Sequence, residues 1–164
     1  MMNSQTRRVG AAEVFEALQT LKHEGYNVLM DLTAIDWSAA GAQAPGARRF
    51  EVVYRLAKID PDTGNDNGRV EVRCFVNDSS AELRSAARLW PIADWLEREV
   101  WDMFGIRFAD RPGIKRLLLY ESFEGHPLCK DYPIAKRQPL IGPAAGEPAN
   151  NPSFNSAAPT VKYE

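Results

Sequence analysis

Two stretches of strict alternation fix the fold class of this 164-residue chain before any other feature. In the first, Phe50, Val52, Tyr54 and Leu56 alternate with Arg49, Glu51, Val53 and Arg55. In the second, Val70, Val72, Cys74 and Val76 alternate with Arg69, Glu71, Arg73 and Phe75. Side chains of an extended chain point to opposite faces in turn. Each stretch therefore lays one apolar face on a core and turns the other to water. The connector D-P-D-T-G-N-D-N-G is dense in turn residues. The pattern predicts an antiparallel hairpin with a long loop, its charged face a solvated surface rather than a binding patch.

The flanking sequence supplies helices and a further strand. Over residues 11–24, Val14, Phe15, Leu18 and Leu21 fall on one helical face, His23 on the polar face, and Gly25 at the position that ends a helix. N-V-L-M-D-L-T-A-I at 27–35 reads as a largely buried strand, followed by an Ala/Gly/Pro-rich loop to Ala47. Ser79 and Glu82 form an S-x-x-E capping box, which predicts a short helix through about Arg88. Pro91 suits the first turn of another. From about Glu124 apolar periodicity disappears and prolines crowd in, so no separate core is expected there. The fold class is α+β: a mixed sheet with helices packed on one side over residues 1–122, then an extended Pro-rich C-terminal tail over 123–164.

The helix after Pro91 carries the densest charge pattern. At about 100° per residue, Ile92, Trp95, Leu96, Val100, Met103 and Phe104 share one broad apolar arc. Asp94, Arg98 and Asp102 step by four on another side. Such a ladder of alternating sign supports a helix by a few tenths of a kcal/mol per pair. Glu99 projects inside the apolar arc, where a carboxylate must meet a cation or hydrogen-bond donors, or shift its pKa upward. Arg107 and Arg116 are the nearby cations. Glu99 is either a buried structural anchor or a group that reaches a partner chain. Gly105 reads as the left-handed residue past the helix end, with Ile106 folding back. Trp101 is then either covered by Ile106 or an interface anchor, since aromatics are enriched at binding hot spots.

Several function classes are excluded. A net charge of −2 argues against a nucleic-acid partner. No apolar run approaches the roughly 18 residues of a membrane span. The start, M-M-N-S-Q-T-R-R, is followed by no apolar segment, so a secretory signal is not expected and the chain should stay on the cytoplasmic side. An iron–sulfur cluster normally takes about four thiolates, and the two cysteines, Cys74 and Cys129, form no C-x-x-C motif. Cys74 lies on the apolar side of its strand and reads as core. Phosphate-binding glycine loops are absent, as is metal-ligand spacing. Glu97 and Glu99 diverge by about 200° on a helix and make no paired-carboxylate site. His126 and Cys129 sit in a Pro-rich segment with no evident oxyanion hole, which argues against a hydrolase.

The motifs do carry a resemblance. Glu97, Arg98, Glu99, Asp102, Met103, Phe104 and Gly105 form one block; Lys115, Arg116, Leu117 and Leu118 a second. Gly125, His126, Pro127 and Leu128 lead into Lys130, Asp131, Tyr132 and Pro133 as a third, and D-L-T-A-I-D-W at Asp31–Trp37 lies upstream. Together they resemble the signature of the complex I 30-kilodalton subunit family, the C-type chains of NADH:quinone oxidoreductase. The family usually has His or Lys where this chain has Arg111, so positive charge is retained. The resemblance implies a structural and assembly subunit of the peripheral arm of the proton-translocating enzyme, at the cytoplasmic face of the cell inner membrane. It implies no cofactor in this chain: NAD, FMN, iron–sulfur clusters and quinone belong to other subunits. The implied partners are the D-type subunit, the B-type subunit and neighbouring peripheral-arm subunits of complex I. The signature residues are then partner-contact or structural positions, not catalytic ones. Two other readings fit the same residues: a homologous subunit of a membrane-bound hydrogenase or non-NADH dehydrogenase, and a stand-alone protein-interaction module.

Overall fold

The computed structural model describes residues 4–38, 48–77, 82–111, 114–133, 135–136 and 138. The loop to Ala47, Ser79 of the capping box and the tail beyond residue 138 lie outside the described residues.

The two alternating stretches are strands β3 (Phe50–Ile59) and β4 (Asp66–Val76), paired antiparallel with Tyr54 opposite Val72. β2 (Val28–Asp36) pairs antiparallel with β3. A strand that the sequence pattern does not announce, β1 (Ser4–Gly10), pairs parallel with β4. S-Q-T-R-R-V-G contains a single large aliphatic residue, so its pairing leaves no trace in hydrophobic period. The sheet order is β1-β4-β3-β2. β1 and β2 therefore run the same way at opposite edges, joined by α1 (Val14–His23), with the hairpin between them.

α1 and α2 (Ala93–Phe104) pack on one side of this mixed sheet. The core is the inward face of the hairpin (Phe50, Val52, Tyr54, Leu56, Val70, Val72, Cys74 and Val76) against Val14, Leu18 and Leu21 of α1 and Val100, Met103 and Phe104 of α2. α1 ends as expected. Gly25 has φ of 97°, its N–H donates to Lys22 O at 3.2 Å, and the Tyr26 N–H donates to Leu21 O at 3.0 Å, a Schellman cap.

Of the short helix expected from Ser79 through about Arg88, nothing is formed over the described residues 82–88. β5 (Glu82–Arg84) is a strand, paired parallel with β6 (Arg107–Ala109), and a single turn follows at Ala86–Trp90. Leu83 and its register partner Phe108 are both buried. Their packing outweighs the local preference of a capping residue.

The open face of the sheet is only partly the solvated surface expected. Arg55 lies 3.3 Å from Glu71 and 3.8 Å from Asp31, while Arg73 lies 2.6 Å from Glu71 and 3.2 Å from Glu51. This chain of ion pairs crosses three strands. Glu51, expected in water, is buried between the strand neighbours Ile35 and Phe75, with Arg73 as its counter-ion.

Candidate functional site

α2 is rotated from the face its summed hydrophobicity predicts. Ala93, Glu97, Val100, Asp102, Met103 and Phe104 are buried, whereas Ile92, Trp95 and Glu99 are exposed. Ala93 allows close approach to the sheet. The decisive residue is Glu97, which has a ready set of partners on the buried side. Ser85 Oγ donates to it at 2.8 Å, the Ala86 N–H at 2.7 Å and Arg111 Nη1 at 3.2 Å. The buried carboxylate is thus Glu97, not Glu99. Neither Arg107 nor Arg116 serves Glu99: Arg116 belongs to Asp102, and Arg107 makes no ion pair among the described residues.

The ladder Asp94–Arg98–Asp102 does not pair with itself either. Asp94 is bonded to Arg111. Arg98 donates to the carbonyls of Lys115 and Arg116 at 3.2 and 3.1 Å. Asp102 is fully buried: Arg116 Nη1 lies 2.8 Å from Oδ1, and the N–H groups of Leu117, Leu118 and Leu119 all donate to Oδ2 at 3.0, 2.9 and 3.0 Å. Three successive amides on one oxygen form an anion nest. The charges of α2 reach out of the helix to hold the segment that follows it.

That segment then closes the helix end. Gly105 has φ of 79°, and its N–H returns to Trp101 O at 2.8 Å, the left-handed cap expected. His126 Nδ1 donates to Asp102 O at 2.9 Å, the Leu128 N–H to Met103 O at 3.1 Å, and Cys129 Sγ to Phe104 O at 3.4 Å. Every carbonyl of the last turn thus has a donor, as a buried helix end requires. Gly105 is needed twice over, because a Cβ there would meet the His126 ring at 2.8 Å. Trp101 is flanked by the same groups, His126 at 6.2 Å between ring centroids and Arg116 at 5.5 Å.

A second clasp lies at the end of β2. Lys130 N–H donates to Asp36 Oδ2 at 2.9 Å, and one Arg49 nitrogen bridges Asp36 at 3.1 Å and Asp131 at 2.7 Å. Asp36, Cys129 and Asp131 place ligand-type atoms within 4.8 Å of one another, but Arg49 already supplies the cation there. Between the clasps, Arg116 Nη2 holds the carbonyls of Phe123 and Gly125, and Tyr132 stacks on Phe123 at 6.1 Å. Phe104 meets Phe50 edge to face at 6.4 Å. Pro127 is half-buried and Pro133 exposed. A groove of about 320 Å³ remains between this segment and the sheet, lined by Arg49, Phe50, Phe104, His126, Tyr132 and Lys136 among others. These bonds join residues on both sides of position 122. Residues 123–131 are bonded to the domain, because α2 and β2 offer them unpaired carbonyls and a buried carboxylate.

Electrostatics separates the three buried acids of this site, Asp36, Asp102 and Glu97. Burial pushes the Asp36 carboxyl up, but the Arg49 guanidinium and the amides of Lys130 and Ser38 outweigh it and hold the group at about 2. Burial likewise opposes ionisation of Asp102, and Arg116 with the three amides again prevails, lowering its pKa. At Glu97 the balance reverses. Burial dominates over Ser85, Ala86 and Arg111, and the pKa rises. Burial also lifts the Cys129 and Cys74 thiols to about 11, which suits structural rather than reactive cysteines.

A helix-on-sheet layer closed by a clasped C-terminal segment is the form of a small α+β scaffold domain. The model of the respiratory-chain NADH dehydrogenase, 30 Kd subunit, matches residues 7–138, and the chain belongs to that family. It is 38% identical over 140 residues to the C-type NADH-quinone oxidoreductase chain of Citrifermentans bemidjiense, covering 84% of this chain and 80% of that one. It is 37% identical over 126 residues to NADH-quinone oxidoreductase subunit 5 of Thermus thermophilus, covering 77% of this chain and 60% of that one. The chain thus spans less than two thirds of the Thermus relative. Among solved structures, a trypsin-resistant fragment of Nqo5 superposes with a TM-score of 0.59 at 31% identity, over 65% of this chain and 80% of the fragment.

Four residues central to the geometry, Asp36, Arg49, Ser85 and Arg111, receive no role in this site from a reading of the sequence alone. Asp36 and Arg111 were visible, one inside D-L-T-A-I-D-W and the other as a position of retained positive charge. Neither signal names the partner, which lies 94 residues from Asp36 in one case and 14 from Arg111 in the other.

Proposed function

We propose that this chain is a structural and assembly subunit of the peripheral arm of NADH:quinone oxidoreductase, carrying no redox centre of its own. Family membership makes it a subunit of that oxidoreductase complex. The observation that carries the structural role is the fate of the signature charges. Arg98, Asp102 and Arg116 hold the chain's own segment 115–125 against α2, and Glu97 with Arg111 ties α2 to the turn at Ser85–Ala86 and to residue 111. In this reading the signature shapes a surface for neighbouring chains. The surface docks on the D-type subunit with the B-type subunit nearby, at the cytoplasmic face of the membrane, and the residues beyond 138 extend that contact. No helix among the described residues is long and apolar enough to cross a membrane, which accords with attachment through other subunits.

The test is mass spectrometry of what co-purifies with the tagged chain from gently solubilised membranes. The expected result is a set of NADH-quinone oxidoreductase subunits that includes the D-type one. Recovery of hydrogenase subunits, or of no membrane complex, would overturn it. The chain purified alone under anaerobic conditions should be colourless, and stoichiometric iron or flavin would refute the absence of a redox centre.

A further inference from the structure

We infer that the outward stripe of α2 together with the 115–118 segment is a docking face for a neighbouring subunit that presents an apolar patch with an acidic rim. This rests on the proposed place of the chain in the complex. Ile92 and Trp95 sit one turn apart and are 49% and 54% exposed, and Leu118 is 60% exposed. The three are linked into one surface. The Arg98 guanidinium lies 5.2 Å from the Trp95 ring and donates to the carbonyls of Lys115 and Arg116. The Leu118 amide is bonded to Asp102, one turn beyond Arg98. A half-exposed tryptophan beside an arginine is the composition of a binding hot spot, and large aliphatic neighbours add apolar area that a lone domain leaves in water.

The charges around the stripe specify the occupant. Arg98 has no carboxylate within ion-pair distance among the described residues, only backbone carbonyls. Lys115, and Arg88 in the turn ahead of α2, are both exposed and have no ion pair among the described residues. Asp94 is neutralised by Arg111, which leaves Glu99 as the free acid of α2 on this side among the described residues. Three uncompensated cations against one anion favour an acidic rim on the partner. On the open sheet face Arg55 and Arg73 are already paired with Asp31, Glu51 and Glu71, while Arg8, beside Arg73 on β1, has no ion pair among the described residues and no exposed aromatic next to it to form a comparable patch.

The experiment compares the tagged full-length chain with Ile92→Ser, Trp95→Ser and Lys115→Glu, and with Met30→Ser as a control of similar exposure (46%) on β2. Recovery of the complex's subunits should fall at least tenfold for Trp95→Ser and clearly for Ile92→Ser and Lys115→Glu, with Met30→Ser at the wild-type level and melting temperatures unchanged. Should Trp95→Ser melt lower, a photo-crosslinking amino acid at position 95 replaces it, and its capture of a complex subunit is the supporting result. Wild-type recovery by Trp95→Ser, or no cross-link, overturns the docking face while leaving the proposed function standing. Sizing that shows a homodimer of the wild-type chain dissolved by Trp95→Ser also overturns it, by assigning the stripe to a second copy. Failure of the wild-type chain to recover any subunit overturns the proposed function itself, and this inference with it.

Discussion

Asp102 and Glu97 sit five residues apart on one helix, both wholly buried, and their surroundings push their acidities in opposite directions. Substitution should separate them. Asp102→Asn removes the negative charge that Arg116 and three amides converge on, and breaking a buried pair in this way costs about 3–5 kcal/mol. Glu97→Gln keeps an oxygen for the Ala86 amide, lets the Ser85 hydroxyl turn to accept from the new NH2, and leaves Arg111 with Asp94, so the expected loss is about 1 kcal/mol. Urea melts of the two variants check this, and equal losses would refute the distinction. Gly105→Ala should cost at least about 1 kcal/mol, because φ of 79° is strained for alanine and its Cβ would press on His126. Asp36 contributes to the pH response, alongside Asp102, whose pKa is also lowered. The folded pKa of Asp36, about 2, lies below the ordinary 3.8. Its contribution is therefore complete above about pH 4 and lost as pH falls through about 2, amounting to roughly 2 kcal/mol. Stability measured from pH 5 to 2 should fall less steeply in Asp36→Asn than in the wild-type chain.

At the scale of elements, the segment after α2 behaves as part of the domain. The amides of Leu117, Leu118, Leu119, Leu128 and Lys130 should exchange slowly with solvent in the isolated chain. In Asp102→Asn those of 117–119 should speed up first. Exchange at unprotected rates in the isolated wild-type chain would mean that the segment orders only on a partner. These elements differ in how far they could be read in advance. β3, β4 and α1 were legible because their periodicity is the direct imprint of a two-faced environment. The cap at Gly105 was legible because glycine answers a local backbone need. β1, β5 and the phase of α2 were not. β1 is held by backbone pairing at an edge, β5 by one buried leucine, and the rotation of α2 by a carboxylate whose partners Ser85 and Arg111 come from other parts of the chain. Hydrophobic period ranks Trp95 above Ala93, whereas packing prefers the small residue and the satisfied acid.

For the whole molecule, the sheet supplies a rigid layer and the clasps fix one end of it. The candidate site was legible as a set of residues but not as a geometry. The signature blocks were recognisable at 97–105, 115–118 and 125–133, while their roles as mutual hydrogen-bond partners depended on tertiary contacts. The Asp36 clasp has a further consequence for the order of events during synthesis. The Asp36–Lys130 bond joins residues 94 apart, so its loop is among the largest the chain must close, and long-range closures come late in folding. β2 is made early, yet its buried carboxylate has no amide from Lys130 to receive until 94 further residues have left the ribosome. A nascent chain should therefore pass through a stage with a formed sheet, an unfinished α2 terminus and an uncovered Phe50–Phe104 surface, a window in which a chaperone has something specific to hold.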